Sequence, residues 1–148
     1  MSETYHKNPL GASGSAGRWN PKGLRLIYAA RSPSLALLEY LCIKGTAVAG
    51  KPWYMVVFSI ENDALIGELQ AASLPDDWDI LPHGNATQSL GKSWLAAQEF
   101  PFLKVPSARI PLTFYPEESN LLINPYFPGI EEYLQVKDVV AFNYILNR

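Results

Sequence analysis

At 148 residues the chain fits one domain, long enough to bury roughly 70% of its unfolded surface in a core without staples. Charged residues make up only 18% against 48% hydrophobic, so any charge inside an apolar segment is informative. The formal net charge of -2 and the scattered lysines and arginines exclude nucleic-acid binding by bulk electrostatics.

Residues 1–16 are polar and rich in glycine, serine and alanine, which predicts a flexible lead-in or a mobile loop over a site. Asn20-Pro21-Lys22-Gly23 reads as a turn, and residues 24–29 as a short strand with Leu26 and Tyr28 on one side. A helix is predicted over residues 32–45: Ser32 caps it, Pro33 suits its first position and Gly45 stops it. Residues 53–60, Trp-Tyr-Met-Val-Val-Phe-Ser-Ile, form the strongest strand pattern. A proline-bounded loop follows at residues 75–84. A second helix is expected over residues 87–99, with Leu90, Trp94 and Ala97 on one face. Short strands are expected at residues 102–105, 108–112, 120–123, 134–136 and 139–146. The pattern is α+β, with a few short helices and mixed or antiparallel sheets, and shows neither repeats nor a second domain.

Glu39 is the only acid in the first helix, on a face shared with Leu35, Leu38 and Cys42. Burying an unpaired carboxylate is costly, so Glu39 either meets a cation or lines a polar cleft. Arg18, just upstream in Gly17-Arg18-Trp19-Asn20, is the cation at hand. Its guanidinium can fork onto phosphate or carboxylate; the plainer reading is a surface arginine stacked on Trp19. Tyr28, closing its strand, offers a ring face or a hydroxyl, or simply packs half-buried. Ser107 could bond a ligand or only shape the turn after Pro106. Asn120 and Asn124 invite local turn bonding.

Other chemistries lack their residues. Asp76, Asp77 and Asp79 miss the glycine and distal glutamate of a calcium loop. His6 and His83 are isolated, and the single cysteine, Cys42, excludes an internal disulfide and reads as a small core side chain. No metal site is expected. Gly91-Lys92-Ser93 lacks the context of a phosphate loop. No apolar run reaches the length of a membrane span, and the N-terminus lacks a signal peptide's apolar core, so a soluble cytoplasmic protein is expected.

Several segments together resemble the RES-domain family. They are residues 17–23 (Gly-Arg-Trp-Asn-Pro-Lys-Gly), Leu26-Ile27-Tyr28, residues 32–39, residues 74–78 (Leu-Pro-Asp-Asp-Trp) and Leu90-Gly91 with Trp94-Leu95. Val105-Pro106-Ser107-Ala108, Asn120 through Pro125 and Val136-Lys137-Asp138 continue the match in order and spacing, over roughly residues 11–142. The family's arginine, glutamate and serine fall on Arg18, Glu39 and Ser107. Its strand ahead of the Gly-Arg-Trp motif would be supplied here by residues 3–6, and Leu121 stands where the family often has an aromatic.

The resemblance implies an ADP-ribosyltransferase-like RES domain over residues 17–148. It implies a bacteriostatic toxin of a toxin–antitoxin pair that degrades NAD by cleaving the nicotinamide–ribose bond, with water or phosphate as acceptor. A protein ADP-ribosyltransferase and a non-catalytic module binding a nucleotide or a partner are the alternatives. Arg18, Tyr28 and Glu39 would be catalytic, and Ser107 and Asn120 would line the same pocket. NAD would be the substrate, with no separate cofactor. The implied partner is an Xre-like helix-turn-helix antitoxin; direct nucleic-acid and membrane contacts are not expected, and a homodimer is compatible with the sequence. Replacing Glu39 or Arg18 would then abolish NAD loss and leave the fold intact.

Overall fold

In a computed structural model that describes residues 7–147, Ser32 caps helix α1 (Pro33–Lys44), its hydroxyl accepting from the Leu35 N–H at 3.2 Å. Gly45 ends the helix at φ 58, a left-handed backbone that glycine adopts freely, and its N–H bonds the Leu41 carbonyl. Leu35 is buried, whereas Leu38 and Glu39 are half-buried. Cys42 is exposed, not a core side chain as expected, because burial fades along α1 toward its C-terminus.

Four short strands form the main sheet in the order β1 (Ile27–Ala30), β5 (Asn120–Ile123), β4 (Phe102–Val105), β3 (Ile66–Glu68). The β1–β5 and β5–β4 pairs are antiparallel and the β3–β4 pair is parallel. Both faces of the sheet are covered. Leu103, Val105 and Leu122 pack with Trp19, Leu26, Trp78 and Leu95 on one side. Ile27, Phe102 and Ile123 pack with Ile130 and Leu134 on the other. Two-sided burial explains why apolar residues are adjacent rather than alternating in β4 (Phe102-Leu103) and β5 (Leu121-Leu122-Ile123). In this register Tyr28 stands opposite Leu122, and Asn120 opposite both Ala30 and Val105. Tyr28 and Asn120 therefore project from the face of the first cluster, at its margin.

Helix α2 (Asn85–Ala97) lies on that face. Its buried stripe is Thr87, Gly91 and Leu95; Leu90 and Trp94 flank it, and Ala97, expected to face inward, is exposed. Gly91 is required by close approach: a Cβ there would lie 1.7 Å from the Trp19 carbonyl oxygen. A separate antiparallel ribbon pairs β2 (Trp53–Ser59) with β6 (Gln135–Phe142), with an irregularity between Val57 and Phe58. Phe58 packs against the second cluster, and Trp53 donates its indole N–H to the Val48 carbonyl at 2.7 Å.

The α+β architecture holds, with several shifts of detail. Residues 108–112 form no strand. The Ser107 hydroxyl accepts the Arg109 N–H at 3.0 Å and turns the chain, and Leu112–Phe114 is a 3-10 turn. The two strands expected over residues 134–136 and 139–146 are one, β6, which stops at Phe142. Strand β3 is an addition, too short and too glycine-broken to stand out. The ring of Phe100 packs where a side chain at Gly67 would go. Tyr28 sits inside β1, which continues to Ala30, rather than closing it. The strand expected at residues 3–6 lies outside the described residues. Residues 7–17 form no helix or strand; Gly14 accepts from the Gly23 N–H at 2.9 Å. Among the described residues no helix is long and apolar enough to cross a membrane.

Candidate active site

Glu39 reaches from α1 toward the start of β5 and the turn after β4. Its Oε1 accepts from the Ser107 hydroxyl at 2.5 Å and from Asn120 Nδ2 at 2.6 Å. Its Oε2 lies 3.7 Å from Nε of Arg109, an ion pair too long to be a hydrogen bond. Three segments far apart in sequence thus converge on one carboxylate, which resolves how an acid is tolerated in an apolar helix. The cation beside it is Arg109, not Arg18. Ser107 is both a turn former and a ligand of the acid: it accepts from the Arg109 N–H and donates to Glu39. Asn120 does not engage in local turn bonding; Asn124 does, accepting from the Tyr126 N–H at 2.9 Å.

Arg18 is buried, 8% exposed, rather than lying on the surface. Its Nη1 donates to the carbonyls of Trp78 at 2.6 Å and Ile80 at 3.0 Å, tying the proline-bounded loop to the turn that carries it. Burial lowers its pKa most, and the positive charge of Arg109 lowers it further; Asp79, Glu39 and Tyr28 oppose this. The exposed His83 is pushed down by desolvation and by both arginines. Arg18, Arg109, Glu39, Asp79 and His83 thus share one electrostatic neighbourhood.

The model of the RES domain matches residues 2–144. The chain belongs to the RES domain family. The Prs ADP-ribosylating toxin of Sphingobium sp. (strain YBL2) is 34% identical over 132 residues, covering 86% of this chain and 79% of that protein. The Toxin Res of Yersinia enterocolitica is 35% identical over 134 residues, covering 89% and 83%. That of Photorhabdus laumondii is 30% identical over 124 residues, covering 84% and 76%. The architecture described above is that of an ADP-ribosyltransferase-like RES domain.

In this RES domain Tyr28 commits its hydroxyl to the segment that carries Arg18. It donates to Asn20 Oδ1 at 2.5 Å and accepts from the Trp19 N–H at 3.0 Å. Although the residue is 45% exposed, enclosure of the hydroxyl pushes its pKa up to about 12, against smaller opposing effects of the Trp19 N–H and Arg18. The phenol keeps its proton, and what it can offer a ligand is the face of its ring. Gly17 is required at this junction, since a Cβ would lie 2.5 Å from the Tyr28 hydroxyl.

Two residues escaped sequence reasoning. Arg109 lies in a segment whose pattern reads as strand; the signal for it was the Ser-x-Arg spacing of a serine turn. His83 was weighed only as a metal ligand. Among the described residues, no group of three or more His, Cys, Asp and Glu side chains is placed to hold a metal.

Proposed function

We propose that this RES domain is the toxin of a bacterial toxin–antitoxin pair and consumes NAD by cleaving the bond between nicotinamide and ribose. The observation that carries this reading is the asymmetric carboxylate. Oε1 of Glu39 is held by two donors, while Oε2 makes only a long contact to Arg109. An acid so fixed presents its second oxygen to whatever enters.

Cleavage of a nicotinamide–ribose bond develops positive charge on the sugar, as in other glycosyl transfers. A carboxylate already oriented by Ser107 and Asn120 stabilises that charge without reorganising. It can also accept a ribose hydroxyl. Asn120 Oδ1 is buried without a hydrogen-bond partner in the described residues, an acceptor suited to a second ribose hydroxyl. The exposed ring of Tyr28 would pack against the nicotinamide riboside. Arg18, fixed by its two carbonyls, would direct its remaining donors at the pyrophosphate. The acceptor is water or inorganic phosphate. NAD is the substrate, no further cofactor is invoked, and the partner is an Xre-like helix-turn-helix antitoxin that blocks the site in the cytoplasm.

A second reading is favoured by one observation: the Sphingobium relative is named for ADP-ribosylating Prs, so a protein acceptor belongs among the candidates. One experiment separates the readings. Purified protein is incubated with labelled NAD, with and without phosphate and with cell extract, and the products are identified. Free ADP-ribose indicates water, its 1-phosphate indicates phosphate, and labelled protein indicates transfer. Glu39→Gln should slow whichever reaction is seen by about 10²–10³, by analogy with removal of one oxyanion-hole donor. Intact NAD that merely raises the melting temperature would mark a binding module instead.

A further inference from the structure

Arg109 is the guanidinium of the site whose side chain has all its donors still to give. Arg18 has Nη1 on two backbone carbonyls and is buried. The side chain of Arg109 makes no hydrogen bond among the described residues; its one ion pair there is the 3.7 Å approach to Glu39, and it keeps 21% of its side chain exposed. Its backbone, by contrast, is fixed, because its N–H is held by the Ser107 hydroxyl that also binds Glu39. A rigid root with a loosely held planar fork is suited to an oxyanion that arrives from solvent, and a phosphoryl group matches that fork bidentately.

The ion pair with Glu39 does not oppose this. A pair that is long, part-exposed and without a hydrogen bond is weak and screened by salt. Inorganic phosphate carries more charge than a carboxylate, a dinucleotide's pyrophosphate carries two negative charges in all, and either can accept two parallel N–H bonds from the fork. Arg18 adds its field to the same region, as its mutual influence with Arg109 records.

We propose that Arg109 is a phosphate-binding residue of this site, its guanidinium turning from Glu39 to grip a phosphoryl group. The proposal rests on the reading of NAD as substrate, and the phosphoryl group belongs either to the dinucleotide's pyrophosphate or to inorganic phosphate serving as acceptor. It has a structural corollary. When Arg109 turns away, Oε2 of Glu39 loses its ion-pair partner among the described residues and becomes free for the ribose. Phosphate capture and exposure of the carboxylate are then one event.

The test is direct binding, read by titration calorimetry, of ADP and of inorganic phosphate to wild type, Arg109→Lys, Arg109→Met and Glu39→Gln. Arg109→Met should weaken at least one of the two ligands about tenfold or more, and Arg109→Lys should weaken it less. Glu39→Gln should tighten the same ligand, because the competing carboxylate is gone, and the gain should shrink when Glu39→Gln is combined with Arg109→Met; a gain unchanged in the double variant would reflect only the lost negative charge and overturn the proposal. Weakening confined to ADP assigns the pyrophosphate, and weakening confined to inorganic phosphate assigns the acceptor. Wild-type affinities in Arg109→Met, or no measurable binding of either ligand to wild type, would overturn the proposal. Because no turnover is read, a protein that leaves NAD intact would retire the cleavage reaction and still decide the role of Arg109.

Discussion

Arg18 and Tyr28 both commit polar atoms to holding backbone in place. The Trp78 carbonyl is buried with Arg18 as its donor, so Arg18→Ala should lower stability by roughly 1–3 kcal/mol, the cost of an unsatisfied buried acceptor. The sequence-based expectation of an intact fold is revised accordingly. Urea unfolding measures the loss, and a midpoint equal to wild type would show that the guanidinium anchors nothing. Tyr28 makes a pH prediction. Its folded pKa is raised to about 12, above its ordinary value of 10.0, so between these values the folded state holds a proton that the unfolded state releases. Stability should therefore fall as pH rises from about 10 toward 12, and Tyr28→Phe should flatten that fall. At this scale the need for a partner at Glu39 was legible, because an acid in an apolar helix is costly. The partner's identity was not. Ser107, Arg109 and Asn120 meet Glu39 only through tertiary folding, and strand-like patterning around Arg109 pointed away from a turn.

The elements make their own demands. Helix α2 reaches the sheet because Gly91 lets it touch the backbone at Trp19, next to Arg18. Gly91→Ala should destabilise by about 4 kcal/mol or more, since the 1.7 Å approach to a backbone oxygen leaves the new methyl no room. A thermal melt within a few degrees of wild type would show that α2 can shift instead. Caps and stops of α1 were readable because Ser32, Pro33 and Gly45 act locally. Strands β4 and β5 were readable from their adjacent apolar residues, Phe102-Leu103 and Leu121-Leu122-Ile123. Strand β3 was not, since its three residues gain their identity from pairing with β4. The inward face of α2 was misjudged because a glycine, which carries no hydrophobic signal, forms the contact.

Across the whole molecule, the two sheets are unequally protected. Strands β4 and β5 lie between two apolar clusters, whereas β6 is exposed along nearly all its length. Amide exchange should therefore be slowest in Phe102–Val105 and Asn120–Ile123 and faster throughout Gln135–Phe142. Equal protection in both sheets would mean that the ribbon unfolds only with the core. Fold class was visible in one or two helices followed by many short strands; the split into a sheet and a ribbon depends on long-range pairing that no local pattern records. The hydrogen bonds from Ser107 and Asn120 have one last consequence. The residues between those two side chains leave the carboxylate and come back to the same oxygen, with Leu112 and Phe114 turned outward along the way. Such an excursion is held at both feet by the acid and stapled midway by the Tyr115 hydroxyl on the Leu69 carbonyl, so whatever displaces its middle tugs on the clamp around the carboxylate.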